Sequence, residues 1–167
     1  GGNLITDLKP LAGLKTLKWL CLSNDRKSVD PKTNFPIGNR ISDLTPLAGL
    51  TKLEMLEAEN NLISDLTPLS TLRKLKVLKL NHNRIQNIQP LKNLTNLPSI
   101  DLRNNQISDL APLAKLNNLR SIRLDDNQIV DLAPLSQMTQ LGYLEVSNNQ
   151  IADLTPLETM TGIYGLD

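Results

Sequence analysis

The sequence repeats itself with a period of 22 residues, and this period restricts the possible folds more than any other feature. Each copy contains a Pro-Leu pair. The prolines of these pairs are Pro10, Pro46, Pro68, Pro90, Pro112, Pro134 and Pro156. A unit this short cannot bury an apolar face by itself, so successive copies must stack and share one core. The period therefore predicts an elongated array of repeats.

The period is interrupted once, between the first two copies, which lie 36 residues apart instead of 22. A 14-residue insertion, near residues 25–38, accounts for the difference. We expect a single domain over residues 1–167, with about six full repeats and partial repeats at the ends. The chain stops within a seventh predicted strand at residues 163–167, so we expect a piece of a larger protein or a minimally capped array.

One regular repeat, residues 75–96, shows the role of each part of the unit. The residues around Leu78 alternate in polarity, which predicts a short strand with Leu78 directed inward. Successive strands would pair in parallel, about 4.8 Å apart. Pro90 is typical of the start of a helical turn, and the few residues left before the next strand indicate a short 3-10 turn.

Two polar columns run through the repeats. One consists of Asn39, Asn61, Asn83, Asn105, Asn127 and Asn149, and the other of Asp7, Asp43, Asp65, Asp109, Asp131 and Asp153, with Asn87 in the same register. A buried amide can bond the backbone groups that a turn leaves unpaired, so the first column predicts a structural role. The uncharged Asn87 indicates that the second column bonds local backbone and does not bind a cation.

Composition and motifs exclude several classes of function. The chain has 18 Lys and Arg against 17 Asp and Glu, which gives no basic excess for binding nucleic acid. No apolar run is long enough to span a bilayer. The single cysteine, Cys21, cannot form an internal disulfide, and we expect it to be a small apolar filler. His82 has no partner for a metal site, and no catalytic motif or cofactor-binding motif is present, so we expect no metal, no cofactor and no enzymatic activity.

Residues 75–85 match the leucine-rich-repeat pattern L-x-x-L-x-L-x-x-N-x-L. The longer motif N-x-I-x-D-L-x-P-L-x-x-L resembles the bacterial internalin family, in the class of short 22-residue repeats, and the resemblance extends from residue 3 to the end. It implies an α/β fold: a right-handed solenoid with a parallel β-sheet on the concave face and short 3-10 turns on the convex face. It also implies a protein partner on the sheet, no cofactor, and a bacterial protein at the cell surface or secreted.

The strand register identifies the side chains that point out of the concave face. Binding hot spots favour Trp, Tyr and Arg, and charged residues add complementarity. We predict these partner-binding residues: Trp19, Phe35, Glu57, Glu59, Lys79, Asp101, Arg103, Arg123, Asp125, Tyr143 and Glu145. The charged residues have a second interpretation, since opposite charges can pair across neighbouring strands. Phe35 lies in the insertion, which either adds to the binding face or is a tolerated surface loop.

Three functions remain open at this point. The leading hypothesis is a monomeric, non-catalytic scaffold that binds a protein partner of unknown identity, without binding nucleic acid or inserting into a membrane. An internalin-type adhesin that binds a host-cell receptor is the second. The third is the recognition arm of a larger enzyme whose catalytic part lies outside these residues.

Overall fold

The computed structural model describes residues 3–24 and 38–167. Within these residues seven short strands form one sheet in sequence order, and each strand runs parallel to its neighbours. The strands are β1 (Trp19–Cys21), β2 (Met55–Glu57), β3 (Val77–Lys79), β4 (Ser99–Asp101), β5 (Ser121–Arg123), β6 (Tyr143–Glu145) and β7 (Gly165–Leu166). Phe35 and nearly all of the predicted insertion lie outside the described residues.

The sheet keeps the register of the sequence repeat. Leu78 pairs with Leu56 on one side and Ile100 on the other, each one repeat away. All three side chains are fully buried. The middle residue of each of these strands thus points into the shared core, as predicted, and the residues on either side of it point to the concave surface.

Seven 3-10 turns form the convex side of the described residues. They are η1 (Lys9–Leu11), η2 (Thr45–Leu47), η3 (Thr67–Leu69), η4 (Gln89–Leu91), η5 (Ala111–Leu113), η6 (Ala133–Leu135) and η7 (Thr155–Leu157). Proline is the second residue of each turn rather than the first, one position from the prediction. Its missing N–H is still harmless there, because the first amides of a helical turn have no partner within the turn. None of the helices in the described segments is long and apolar enough to cross a membrane.

The aspartate column holds the start of each turn. The Oδ1 atom of Asp43 accepts a hydrogen bond from the backbone N–H of Thr45 at 2.8 Å, and Asn87 accepts the equivalent bond from Gln89 at 2.8 Å. Hydrogen bonds from the side chain and backbone of Thr45 lower the pKa of Asp43. The amide of Asn87 and the carboxylate of Asp43 accept the same kind of backbone hydrogen bond, which confirms local backbone bonding as the role of this column.

The asparagine column ties neighbouring repeats together. Asn83 accepts a hydrogen bond from the N–H of Ile63 at 3.0 Å, and its Nδ2 donates to the carbonyl oxygens of Ala58 at 3.0 Å and Leu80 at 2.9 Å. Each amide therefore satisfies backbone groups of two repeats at once. The predicted structural role is confirmed.

The residue before each of the last five asparagines of this column adopts a left-handed backbone conformation. These residues, with φ between 54° and 57°, are Asn60, His82, Asn104, Asp126 and Asn148. Asn, Asp and His are the side chains that best tolerate this region. The position of His82 is thus explained by the turn that leaves the strand.

Candidate functional site

The concave face is formed by the outward residues of β1–β6 and by the residue that follows each strand by two positions. In the sheet register these side chains form rows that cross the strands, because each repeat places equivalent residues side by side. Two of these rows, one partly apolar and one charged, carry most of the predicted binding residues, and Glu59, Arg103 and Asp125 lie in the row that follows the strands.

The apolar row begins with the largest exposed side chain of the face. Trp19 is 66% exposed, and it pairs in register with Met55, which pairs with Val77. Met55 and Val77 are half-buried. The indole therefore stands beside an apolar surface on a rigid strand, as expected for a binding anchor.

A second aromatic group lies at the other end of the row. The rings of Tyr143 and Tyr164 are 6.4 Å apart between centroids, and the guanidinium of Arg123 lies 5.6 Å from the centroid of Tyr143. A Cβ at Gly165 would overlap the Tyr143 ring, so the absence of a side chain there allows the ring to lie against the next strand. Tyr164 is 82% exposed.

The charged row alternates in sign from strand to strand. Its members are Glu57, Lys79, Asp101, Arg123 and Glu145, each beside the next in register. The Nζ atom of Lys79 lies 2.6 Å from Oε1 of Glu57, and this hydrogen bond raises the pKa of Lys79. The pairing across strands that the sequence left open is present here.

Arg103 links the charged row to the next one. Its Nε and Nη2 atoms donate to the two carboxylate oxygens of Asp101, at 2.9 Å and 2.6 Å, and these bonds raise the pKa of Arg103. Its Nη1 atom also lies 3.9 Å from Oε2 of Glu145. Asp101 is buried beneath this arrangement, so Arg103 is the more accessible member of the pair.

Glu145 is the centre of an electrostatic cluster on the face. It accepts a hydrogen bond from the Tyr143 hydroxyl, and its Oε2 lies 3.3 Å from Nε of Arg123. Asp125 lies two residues after the end of β5 and accepts a hydrogen bond from the N–H of Ser147 at 3.0 Å. Burial, followed by the hydrogen bond and repulsion from Glu145, raises the pKa of Asp125 to about 6.

The structure thus brings together on one face all the predicted binding residues except Phe35. Glu59 lies beyond β2 and accepts a hydrogen bond from the Ser23 hydroxyl. Contact of these residues with a partner stays a prediction. The expectation for Cys21 is wrong, because its free thiol is exposed on the face rather than packed as filler.

Sequence reasoning missed a groove of about 650 Å³ at the edge where the chain enters the strands. We call it the basic groove; it is lined by Glu54, Lys74, Lys76, Asn96, Pro98, Asn118 and Arg120. These residues occupy the two positions that flank the first leucine of each repeat. A comparison of the charges at those positions would have indicated the basic groove from the sequence. In the described part of the chain, no group of three or more His, Cys, Asp or Glu side chains could hold a metal ion.

Comparison with known proteins places this architecture in a family. The family model for leucine-rich repeats, in two copies, matches residues 73–115 and 117–159. None of the curated proteins compared with the sequence matches it.

Three solved structures share the fold over nearly the whole chain. The crystal structure of internalin C2 from Listeria monocytogenes is 37% identical, with a TM-score of 0.86 over 99% of this chain and 67% of that one. A second Listeria monocytogenes internalin, inlF, is 30% identical, with a TM-score of 0.77 over 98% and 51% of the two chains.

The third is a leucine-rich-repeat protein of Leptospira interrogans, 25% identical, with a TM-score of 0.77 over 99% and 46%. The chain spans about two thirds of internalin C2 and about half of the other two. With the 22-residue period and the single parallel sheet, these matches show that the chain belongs to the internalin-like family of leucine-rich-repeat proteins.

Proposed function

We propose that this chain is a non-catalytic scaffold that binds a partner protein across its concave face. The leucine-rich-repeat fold is typically a protein-interaction scaffold, because its rigid sheet presents side chains that the core does not use. The proposal assigns the contact to Trp19 and Tyr143 as anchors, with Arg103 and Arg123 between them.

The exposure of Trp19 carries the proposal. A tryptophan that is 66% exposed gains nothing from the core, yet here it is fixed on a strand beside Met55. Tryptophan is among the residues most often found as interface hot spots. Its rigid position means that little conformational entropy is lost when a partner covers it.

The two aromatic anchors set the size of the partner's footprint. Trp19 lies on β1 and Tyr143 on β6, five strand spacings apart, which is roughly 24 Å at about 4.8 Å per spacing. Protein interfaces of ordinary size, about 800 Å² per partner, cover such a distance. A folded protein surface fits this span better than a small molecule does.

The charged residues between the anchors act in specificity. Glu57, Lys79 and Asp101 are already paired within the chain, so a partner does not bury them as isolated charges. Arg103, Arg123, Glu59, Asp125 and Glu145 present the remaining hydrogen-bonding capacity. We expect them to select a partner with complementary charges and to raise the association rate.

The similarity to Listeria and Leptospira proteins supports a bacterial origin. On this basis we propose a cell-surface or secreted protein, and we separately propose that it acts as a monomer. The similarity to two internalins also favours the more specific hypothesis of an adhesin that binds a receptor on a host cell.

The test is capture of partners with the double variant W19A/R123E. The matched control is V130A/K115E, which also removes one exposed apolar side chain and reverses one exposed cation, but away from the concave face. For a captured partner measured by biolayer interferometry, we expect the concave variant to bind at least about thirtyfold more weakly, since one hot spot contributes about 2 kcal/mol.

The control should bind within about twofold of the unmodified chain, and circular dichroism should show all three proteins folded. Equal affinity of the unmodified chain and W19A/R123E would rule out the concave face as the binding surface.

A further inference from the structure

We propose that the basic groove binds an extended acidic segment of a partner protein. This surface lies at the edge of the sheet and includes none of the residues assigned to the concave-face contact. The inference is therefore independent of the proposed function and can fail or hold separately.

The charges of the chain are separated in space, although they nearly cancel overall at +1. Among the described residues, the positions flanking the first leucine of each repeat carry five cations and one carboxylate. The cations are Lys18, Lys52, Lys74, Lys76 and Arg120, and the carboxylate is Glu54. This edge is therefore strongly positive, and such a field attracts acidic partners.

The single carboxylate is already occupied. Glu54 lies between two lysines, with Nζ of Lys76 at 2.7 Å and Nζ of Lys18 at 3.7 Å. The hydrogen bond from Lys76 lowers the pKa of Glu54. Lys74 and Arg120 form no salt bridge within residues 3–24 and 38–167, so their charges remain to be matched from outside.

Proline at position 98 removes one backbone hydrogen bond at the groove. In the preceding and following repeats, the residue at this position donates its N–H to the carbonyl oxygen of the equivalent residue one repeat earlier. Lys76 donates to Glu54 at 2.7 Å, and Arg120 donates to Pro98 at 2.8 Å. Pro98 has no N–H, so the carbonyl oxygen of Lys76 does not receive the equivalent bond.

Two asparagines provide acceptors in fixed orientations. Asn96 donates from Nδ2 to the carbonyl oxygen of Arg73 at 2.8 Å, and Asn118 donates to that of Thr95 at 2.7 Å. These bonds hold the amides in place, and each Oδ1 retains its capacity to accept.

The groove thus combines acceptors for N–H groups with cations for carboxylates, which are the two features of an acidic polypeptide. A nucleic-acid backbone has no N–H donors, and single strands usually stack on aromatic side chains. None of the lining residues is aromatic. The chemistry therefore favours an acidic peptide over a nucleic acid.

The repeat spacing also suggests how the acidic residues are arranged. Lys74 and Lys76 belong to the entry of β3 and Arg120 to the entry of β5, two strand spacings or roughly 10 Å apart. In a polyproline II segment, residues three apart lie on one face and are separated by about 9 Å. Carboxylates at every third residue would match the two groups of cations.

The probe is a fluorescein-labelled peptide of about twelve residues with glutamate at every third position and one proline between successive glutamates, so that most backbone N–H groups remain. Fluorescence anisotropy should show binding that weakens as salt is added. The variant K74E/R120E should bind at least about tenfold more weakly, because two attractive contacts become repulsive. The control K92E/K115E changes the net charge equally at exposed sites outside the groove and should bind within about twofold.

Several results would overturn the proposal. They are no binding of the glutamate peptide, equal binding of its glutamine analogue, or an equal loss in K92E/K115E. Tighter binding of duplex DNA would assign the groove to polyanions in general. Sedimentation showing a dimer that K74E/R120E dissociates would assign it to a second copy of the chain. The variant W19A/R123E should retain peptide binding, which separates this test from that of the concave face.

Discussion

Replacing one asparagine of the buried column should destabilise the whole array. Asn105 is 9% exposed and makes four hydrogen bonds. It accepts from the N–H of Ile85 at 3.0 Å, and it donates to the carbonyl oxygens of Leu80 at 3.1 Å, Leu102 at 2.9 Å and Arg103 at 3.2 Å. These bonds join two consecutive repeats.

The size of the effect follows from those contacts. In N105A the Ile85 N–H loses its acceptor inside the solenoid, which costs about 1–3 kcal/mol. Loss of the bonds to the Leu80 and Leu102 carbonyls adds roughly 0.5–1.5 kcal/mol each. We therefore expect the free energy of unfolding to fall by about 3–5 kcal/mol.

Urea denaturation followed by circular dichroism measures this change. The control is N118A, which removes an exposed asparagine with a single bond, to the Thr95 carbonyl at 2.7 Å, and should lower the free energy of unfolding by less than about 1 kcal/mol. If N105A loses no more stability than N118A, the column does not hold the repeats together and the reasoning is wrong.

Three further predictions follow from single side chains. The pKa of Asp125 is raised to about 6, so the folded state binds the carboxyl proton more tightly than the unfolded state, and stability is lost as the pH rises through this value. The variant D125N should match the unmodified chain near pH 4 and melt at a higher temperature near pH 8. The same melting difference at both pH values would contradict this. Leu78 is fully buried, so L78A should lower the free energy of unfolding by about 2–5 kcal/mol in urea denaturation, and a loss below about 1 kcal/mol would show that its site is not part of the core. Cys21 should react with a thiol reagent in the native protein as fast as after unfolding, whereas reaction only on unfolding would mean that it is buried.

The sequence predicted those parts of the fold that depend on local pattern and period. The strand around Leu78, the bonding of Asp43 and the asparagine column each follow from a residue type at a fixed place in a short unit. Since the same unit recurs six times, the evidence for each position is repeated and the errors are small, such as the one-residue shift of the prolines.

The details of the charged surface could not be predicted in this way. Arg103 binds Asp101 on its own strand and also approaches Glu145, because its long side chain can reach several partners. Which partner it takes depends on neighbours from three strands at once. The raised pKa of Asp125 likewise depends on burial that appears only when the strands are assembled.

The basic groove can be recognised in the sequence only when equivalent positions of successive repeats are compared. Lys74 and Arg120 are far apart in sequence, and the overall charge of +1 gives no sign of a positive edge. Stacking in register brings the residues together, and Pro98 acquires its importance only from the bond that its neighbours make.

Oxidative footprinting of the chain with and without its captured partner tests the central claim most directly. The exposed side chain of Trp19 and the half-buried ring of Tyr143 can be oxidised, and we expect the partner to protect both together with Met55, while buried Met138 is unchanged. Protection confined to residues outside the concave face, with Trp19 and Tyr143 oxidised as in the free chain, would contradict the account.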